Sequence, residues 1–345
     1  MDKMGGFDTM KHAFLCLLFL PLMASSPVLK QGEMSPVNFD VITLGDGIYA
    51  CINTFEGKAI CNAGIVDNGE STIIFDTFLS PEAAEELIQL VSRLKLSPIR
   101  FVVNSHCHND HVRGNQSFSP EVKILSTRRT AELMERDEPI SIAAEKIYGP
   151  VQYAYFDSLR GTYKGDTTAR EYQIIKMNRA YFEELSKSHE RIRSRIPDTF
   201  VAKEHSIDGS RRRVRLQDKG KGHTESDLIM YLPDEGVVFA GDLVFHKCHP
   251  YLGDGDLDGW KSILSEMALM NVKTVVPGHG PVGGIESIAE MKSYIDSIEV
   301  IARQLKHDGR RRQDIKTVPI PEKFKDWWME DFFQGNVEFA YDKAE

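Results

Sequence analysis

The sequence predicts an α/β fold, and three observations carry that prediction. Short apolar runs bounded by Gly, Asp and Asn recur in both halves of the chain. One of them, Ser71–Thr77, is followed by a helix-patterned stretch and then by a continuous apolar strand, Ile99–Val103. A dense polar cluster comes directly after that strand, where such folds usually place their chemistry.

Size and composition fit this class. With 345 residues, 41% of them hydrophobic, the chain can bury a substantial core, which excludes a disordered or coiled-coil protein. The length suits one large domain or two small ones of about 100–200 residues. Lys and Arg number 42 against 51 Asp and Glu, a net charge of −9, which argues against a dedicated nucleic-acid binder. The expected partner is a small-molecule substrate.

Residues 1–26 are expected to be a signal peptide. The apolar run Ala13–Met23 precedes the small residues Ala24, Ser25 and Ser26. That run is shorter than the about 20 residues of a membrane-spanning helix. Asp2 and Asp8 cancel Lys3 and Lys11, whereas a start at Met10 leads through Lys11 straight into the apolar run. A periplasmic or secreted protein is therefore expected, with Met10 a candidate initiator and no stable membrane anchor after cleavage. Cleavage would leave Cys51, Cys61, Cys107 and Cys248. Cys51 and Cys61 flank an expected hairpin centred on Glu56, which would set them opposite each other. Directly opposed strand cysteines are strained as a disulfide, so two buried thiols are expected there.

The elements follow in order. Strands are expected within Phe39–Thr77, separated by Gly, Asp and Asn turns. Ser80 and Pro81 mark a helix start, and Ala83, Leu87, Leu90 and Leu94 share one face of it. Residues of about 127–197 are rich in Arg, Glu, Lys and Tyr and read as a helical insertion with a solvated, ion-paired face. Strands resume at Arg211–Leu216, Asp227–Leu232 and Gly236–Ala240. A helix capped by Asp258, a strand Lys273–Val276 and a long helix from Gly284 to His307 complete the second half. Beyond it lie Pro-rich chain and an aromatic segment with Trp327, Trp328, Phe332 and Phe333.

The chemical signal is the run Asn104-Ser-His106-Cys-His108-Asn-Asp110-His111. Imidazole nitrogen and carboxylate oxygen are the usual ligands of zinc, and of iron or manganese at related sites. His106 and His108 alternate onto one side of an extended segment, and Asp110 and His111 can turn towards a second position as a helix begins. One loop can thus serve two ions. His223, Asp242 and His279 each lie at or just beyond a strand end and beside glycine, which lets backbone approach a site closely. Cys107, between two of these histidines, is expected to point the other way.

The order and context of these motifs resemble the metallo-β-lactamase superfamily, from about Phe39 to Ile298 apart from the insertion. The resemblance implies an α/β fold of four layers, an αβ/βα sandwich of two mixed sheets packed face to face with helices outside. It divides the chain into the signal peptide, a domain over 37–300 carrying the insertion, and a C-terminal helical extension over 301–345. It implies that His106, His108 and His223 hold one metal and Asp110, His111 and His279 a second, with Asp242 bridging both. Two zinc ions so placed share a water and lower its pKa towards neutral. Asp110 and Asp242 are then the catalytic carboxylates, Asp110 also moving a proton.

The resemblance extends to subclass. True β-lactamases of the superfamily generally have Cys or Ser at the position of Asp242. A bridging Asp resembles glyoxalase-II-like thioesterases, lactonases and phosphodiesterases, and the stretch from Gly241 to Trp260 resembles exported hydrolases of unassigned substrate. Lactonases often carry Tyr three residues after this Asp, where Phe245 stands here. The expected activity is hydrolysis of an ester, thioester, lactone or amide-type bond. The alternatives are β-lactam hydrolysis and a persulfide dioxygenase-like oxidoreductase with a single iron.

Other features carry less chemistry. Asp254, Asp256 and Asp258 copy the start of a calcium loop, but Ser265 stands where that loop needs Glu. His246, Lys247 and His249 are expected at the rim of the site, with His246 and His249 as candidate substrate contacts. Phe55, an aromatic at the tip of the first hairpin, is expected to overhang the site, with Tyr148, Tyr153, Tyr155 and Phe156 of the insertion as the facing wall. Arg211–Arg213 with Arg215, and Arg310–Arg312, read as solvated charge.

Overall fold

A computed structural model describes residues 36–344, so the expected signal peptide, Met10 and Cys16 lie outside the described residues. The first sheet has seven strands in sequential order: β1 (Phe39–Gly45), β2 (Ile48–Asn53), β3 (Ala63–Asp67), β4 (Thr72–Phe75), β5 (Ile99–Val103), β6 (Lys123–Ser126) and β7 (Thr199–Phe200). β1 to β4 pair antiparallel, and β4 to β7 pair parallel. The second sheet holds β8 (Glu204–Asp208), β9 (Arg213–Gly220), β10 (Asp227–Leu232), β11 (Val237–Phe245) and β12 (Thr274–His279), antiparallel except for the parallel pair β11 and β12.

Strand periodicity explains why the sheets stack. Side chains alternate across a strand, so each strand feeds two layers. Ile73 and Phe75 of β4, Val103 of β5, and Leu228 and Met230 of β10 meet between the sheets. Their alternates Ile74 and Val102 pack outward against Ala83, Leu87 and Leu90 of helix α1 (Pro81–Arg93). Gly64 has no Cβ because the ring of Phe239 from the opposite sheet occupies that place. Ser80 caps α1 as expected, accepting from the backbone N–H groups of Glu82 and Ala83.

After β5 a single helical turn, α2 (Asn109–Val112), carries the polar cluster. Between β6 and β7 stand α3 (Arg128–Thr162) and α4 (Arg170–Ser188), packed on one another through the stacked rings of Phe156 and Phe182, 5.5 Å apart. The outer face of the second sheet is covered by α5 (Leu257–Met267), α6 (Ile285–His307) and α7 (Phe332–Lys343). The layers are therefore helix, sheet, sheet, helix. Among the described residues no helix is long and apolar enough to cross a membrane.

Four expectations change. β2 ends at Asn53 and Cys51 faces Ala63 across the ladder, so Cys51 and Cys61 are not opposed; both are buried free thiols. The cap of α5 is Asp256, which accepts from the N–H of Gly259, rather than Asp258. The boundary expected at 300/301 falls inside α6, and Phe324, Trp327, Phe333 and Val337 belong to the same core as α5 and α6. β11 runs on past Ala240 to Phe245, with shifts of register at Gly241, whose φ is +52°.

Candidate metal centre

The site forms where β5, β11, β12 and the turn between β9 and β10 end on the same edge of the two sheets. Asp76, at the end of β4, organises the loop after β5. It accepts from the Ser105 N–H and Oγ–H and from His111 Nδ1, each at 2.8 Å. Asp76 is fully buried with φ of +59°, a left-handed conformation tolerated by Asp and held by these three bonds. Asn104 and Asn115 exchange side-chain hydrogen bonds of 3.0 and 2.8 Å beneath the loop.

Two groups of side-chain atoms result. His106, His108, His223 and Asp242 form the first, their nitrogens and carboxylate oxygen all within 4.8 Å of one another. Within it His223 Nε2 stands 3.0 Å from His108 Nδ1 and 3.4 Å from Asp242 Oδ2. His111, Asp242 and His279 form the second. His279 Nε2 lies 3.4 Å from Asp242 Oδ2 and 3.3 Å from Asp110 Oδ2, which is 3.6 Å from His111 Nε2. The groups share Asp242. All seven residues singled out from the sequence thus converge on one place.

These atoms fit metal ions. Ligands about 2.0–2.1 Å from a tetrahedral zinc stand about 3.3 Å apart, close to the separations seen. His106 Nε2 is buried yet makes no hydrogen bond, a costly state for a polar atom without a further partner, and His111 Nε2 and Asp242 Oδ1 face each other at 3.1 Å as a buried ion pair. The opposite nitrogens are engaged: His106 Nδ1 with Ser105 Oγ, His111 Nδ1 with Asp76, and His108 Nε2 with Asp254 Oδ2 at 3.0 Å. Such bonds orient the free nitrogen of an imidazole ligand. Gly278 leaves no room for a Cβ beside the Asp242 carboxylate.

Charge follows the same division. Burial keeps His106 well below the ordinary imidazole range and His223 at about 3. Burial also opposes the charge of His279, but Asp242 and Asp110 outweigh it and raise His279 to about 9. Asp110 falls to about 2, where burial is overcome by His111 and His279. Metal-free, His106 and His223 of the first group are neutral, whereas Asp242, shared by both groups, and Asp110 are ionised beside His279.

Sequence reasoning missed three contributors. Asp76 could have been suspected from its place directly after a buried strand. Asp254 read as part of a calcium loop but turns to His108, while Asp256 caps α5. Cys61 read as a structural thiol; its Sγ donates to the Asp110 carbonyl at 2.8 Å and stands with Asp110 and His111 in a third group. Burial pushes the Cys61 thiol up to about 12.

Above the centre opens a cavity of about 1510 Å³, bordered by Phe55, His108, Asp110, Asp242 and His279 below and by α3, α4 and Trp328 above. Phe55 stands at this wall, its ring 4.7 Å from that of Trp328. Tyr148 and Phe156 line the cavity, whereas Tyr153 turns to Arg179 and Tyr155 is exposed. Cys107 also reaches the wall and joins none of the ligand groups.

His246 and His249 are not rim residues. His246 Nδ1 meets the Pro281 carbonyl at 2.9 Å, and His249 is fully buried, with Nδ1 2.9 Å from Tyr294 Oη and its ring among Trp327 and Phe333. His246 turns to the loop between β12 and α6, and His249 into the packing between β11 and the C-terminal segment. Lys247 reaches Glu290. The arginines of 211–213 and Arg215 pair with Asp67, Glu235, Asp234 and Glu204.

A family model described as the metallo-beta-lactamase superfamily matches residues 57–279. A metallo-beta-lactamase type 2 of Bacillus cereus is 21% identical over 260 residues, covering 73% of this chain and 80% of that protein. An alkyl/aryl-sulfatase of Saccharomyces cerevisiae is 24% identical over 343 residues, covering 91% of this chain and 50% of that protein. A solved metallo-beta-lactamase from Pontibacter korlensis superposes with a TM-score of 0.53 at 20% identity, covering 75% of this chain and 99% of that one, a likeness of fold.

Proposed function

The chain belongs to the metallo-beta-lactamase superfamily and is a metal-dependent hydrolase, and on that premise we propose a dinuclear zinc enzyme acting on an acyl-type bond. One observation carries the proposal: six ligand-type side chains converge in two groups that share Asp242, and Asp110 stands against His111 and His279 of the second. His106, His108 and His223 would hold one ion, Asp110, His111 and His279 the other, with Asp242 between them. A metal pair supplies Lewis acidity and a water acidic enough to attack near neutral pH.

The chain's own residues prepare the site for that chemistry. Asp254, Ser105 and Asp76 hold three imidazoles with the free nitrogen facing inward. Asp110 faces the cavity with its side chain 15% exposed, which supports its reading as the carboxylate that moves a proton between the attacking water and the leaving group. Phe55, Trp328 and the insertion wall exclude water around the bond to be cut. The substrate class is an ester, thioester, lactone or amide-type compound. The names of the relatives add β-lactams and alkyl sulfates to the compounds worth testing. Export belongs to the same proposal, supported by the apolar run Ala13–Met23.

Elemental analysis and a hydrolysis panel test this reading together. Two zinc ions per chain, with turnover of an acyl substrate lost on chelation and restored by zinc, are expected. One iron per chain with oxygen consumption would instead establish a dioxygenase. Full turnover by metal-stripped protein would overturn the assignment.

A further inference from the structure

Helix α4 turns one stripe to the cavity: Ile174, Met177, Asn178, Tyr181 and Phe182 line it at helical spacing. Its other face is buried through Ile175, Ala180 and Leu185. On the cavity stripe, two side chains carry a polar group. Asn178 Nδ2 is engaged, donating to the Ile174 carbonyl at 3.0 Å. The Tyr181 hydroxyl makes no hydrogen bond among the described residues. Its ring packs edge-on to Phe182, 5.0 Å away. Burial, with Tyr148, Asp110 and Glu145 beside it, pushes the Tyr181 hydroxyl far up, so it remains an O–H donor at any working pH.

The charges of the wall narrow what that donor meets. Arg136 is the arginine of the lining, and Asp137 holds it at 2.6 Å. Asp254, Glu225, Glu330 and Asp331 add carboxylates to the border. Away from the metal centre, a sulfate or phosphate group, with several charged oxygens, would need cationic donors from the wall, where the Arg136 guanidinium is already paired. A neutral carbonyl needs a single hydroxyl.

We propose that Tyr181 donates a hydrogen bond to the carbonyl oxygen of a neutral ester or thioester whose bulky apolar part lies along the aromatic wall of the insertion. This rests on the hydrolase reading of the site. In the reaction water adds to the carbonyl carbon, the acyl C–O or C–S bond breaks, and a proton from the water leaves with the alcohol or thiol. Tyr181 keeps its own proton and stabilises the oxygen on which negative charge grows.

The test compares zinc-loaded full-length protein with its Tyr181→Phe variant on p-nitrophenyl octanoate, and measures binding of 1,1,1-trifluoro-2-decanone and of 1-decanol. The variant is expected to lose about 10- to 100-fold in kcat with KM nearly unchanged. Its zinc content should match the wild type. Ketone affinity should fall about tenfold while decanol affinity stays, because decanol probes the apolar wall alone. Equal kcat and equal ketone affinity in the variant would overturn the proposal, as would parallel loss of ketone and decanol binding. A wild type that turns over octyl sulfate faster than the octanoate ester would overturn the substrate class. Ketone discrimination without any ester hydrolysis would sink the acyl-hydrolase reading and leave the donor role of Tyr181 standing.

Discussion

His108 stands between two partners: Nε2 is 3.0 Å from Asp254 Oδ2 and Nδ1 is 3.0 Å from His223 Nε2. Two imidazole nitrogens at that separation need either a proton or a metal between them. The Asp254 carboxylate takes the Nε2–H of His108, which leaves the Nδ1 lone pair facing the ligand group.

Asp254→Ala should therefore weaken zinc binding about 10- to 100-fold while leaving the fold intact. Competition with a chelator of known affinity measures this directly. Unchanged affinity would mean that His223 and the loop orient His108 without help.

Metal-free protein should lose stability as pH rises from about 6.5 to about 9. His279 is raised to about 9 by Asp242 and Asp110 against the effect of burial. A group raised above its unfolded value of about 6.5 contributes fully below that pH and ceases to contribute as pH passes its folded value. The thermal midpoint of chelator-treated protein across this window checks the sign. Zinc uptake at pH 7.5 should also release protons, seen as a binding heat that depends on the ionisation enthalpy of the buffer; heats independent of buffer would count against it.

Glu145→Ala should cost about 3 kcal/mol, because it breaks a buried charge pair. Glu145 Oε1 accepts from Arg113 Nη2 and from Asn109 Nδ2, both at 2.9 Å, and Arg113 Nε meets Glu138 Oε1 at 2.9 Å. These bonds tie α3 to α2, the turn that carries Asp110 and His111. Urea denaturation reads the loss, and faster proteolysis between α3 and α4 should accompany it. An unchanged midpoint would show that the insertion docks through its apolar contacts.

Phe55→Ala should raise KM several-fold for a bulky apolar substrate and leave zinc content unchanged. Phe55 packs on Trp328, whose other partner is the Arg170 guanidinium at 4.3 Å. Aromatic pairs couple by about 0.5–1.5 kcal/mol. Trp328→Ala should therefore act in the same direction, and the double variant should fall short of the sum. Identical kinetics on small and large substrates would reduce Phe55 to a packing residue.

Much of the centre was legible because its chemistry is local. His106, His108, Asp110 and His111 sit within six residues, and His223, Asp242 and His279 each stand beside a glycine near a strand end. The apolar runs in β4 and β10 likewise announced strands. What failed had no local signature. His246 and His249 resemble rim residues in sequence, but His246 turns to the Pro281 carbonyl, and the C-terminal segment folds back over His249, where Trp328 accepts the His249 backbone N–H through its carbonyl at 2.7 Å.

The sequence by itself determined the α/β class, the helical insertion as a separate stretch and the identity of the ligand-type residues, because residue spacing dictates which side chains share a strand or helix face. Tertiary structure alone decided which acids support the histidines, and it brought Asp76 and Asp254 to imidazoles 35 and 146 residues away. It also decided that α3, α4 and Trp328 roof the cavity. Such contacts join segments through the stacking of two sheets, and no periodicity along the chain records which loops that stacking brings together.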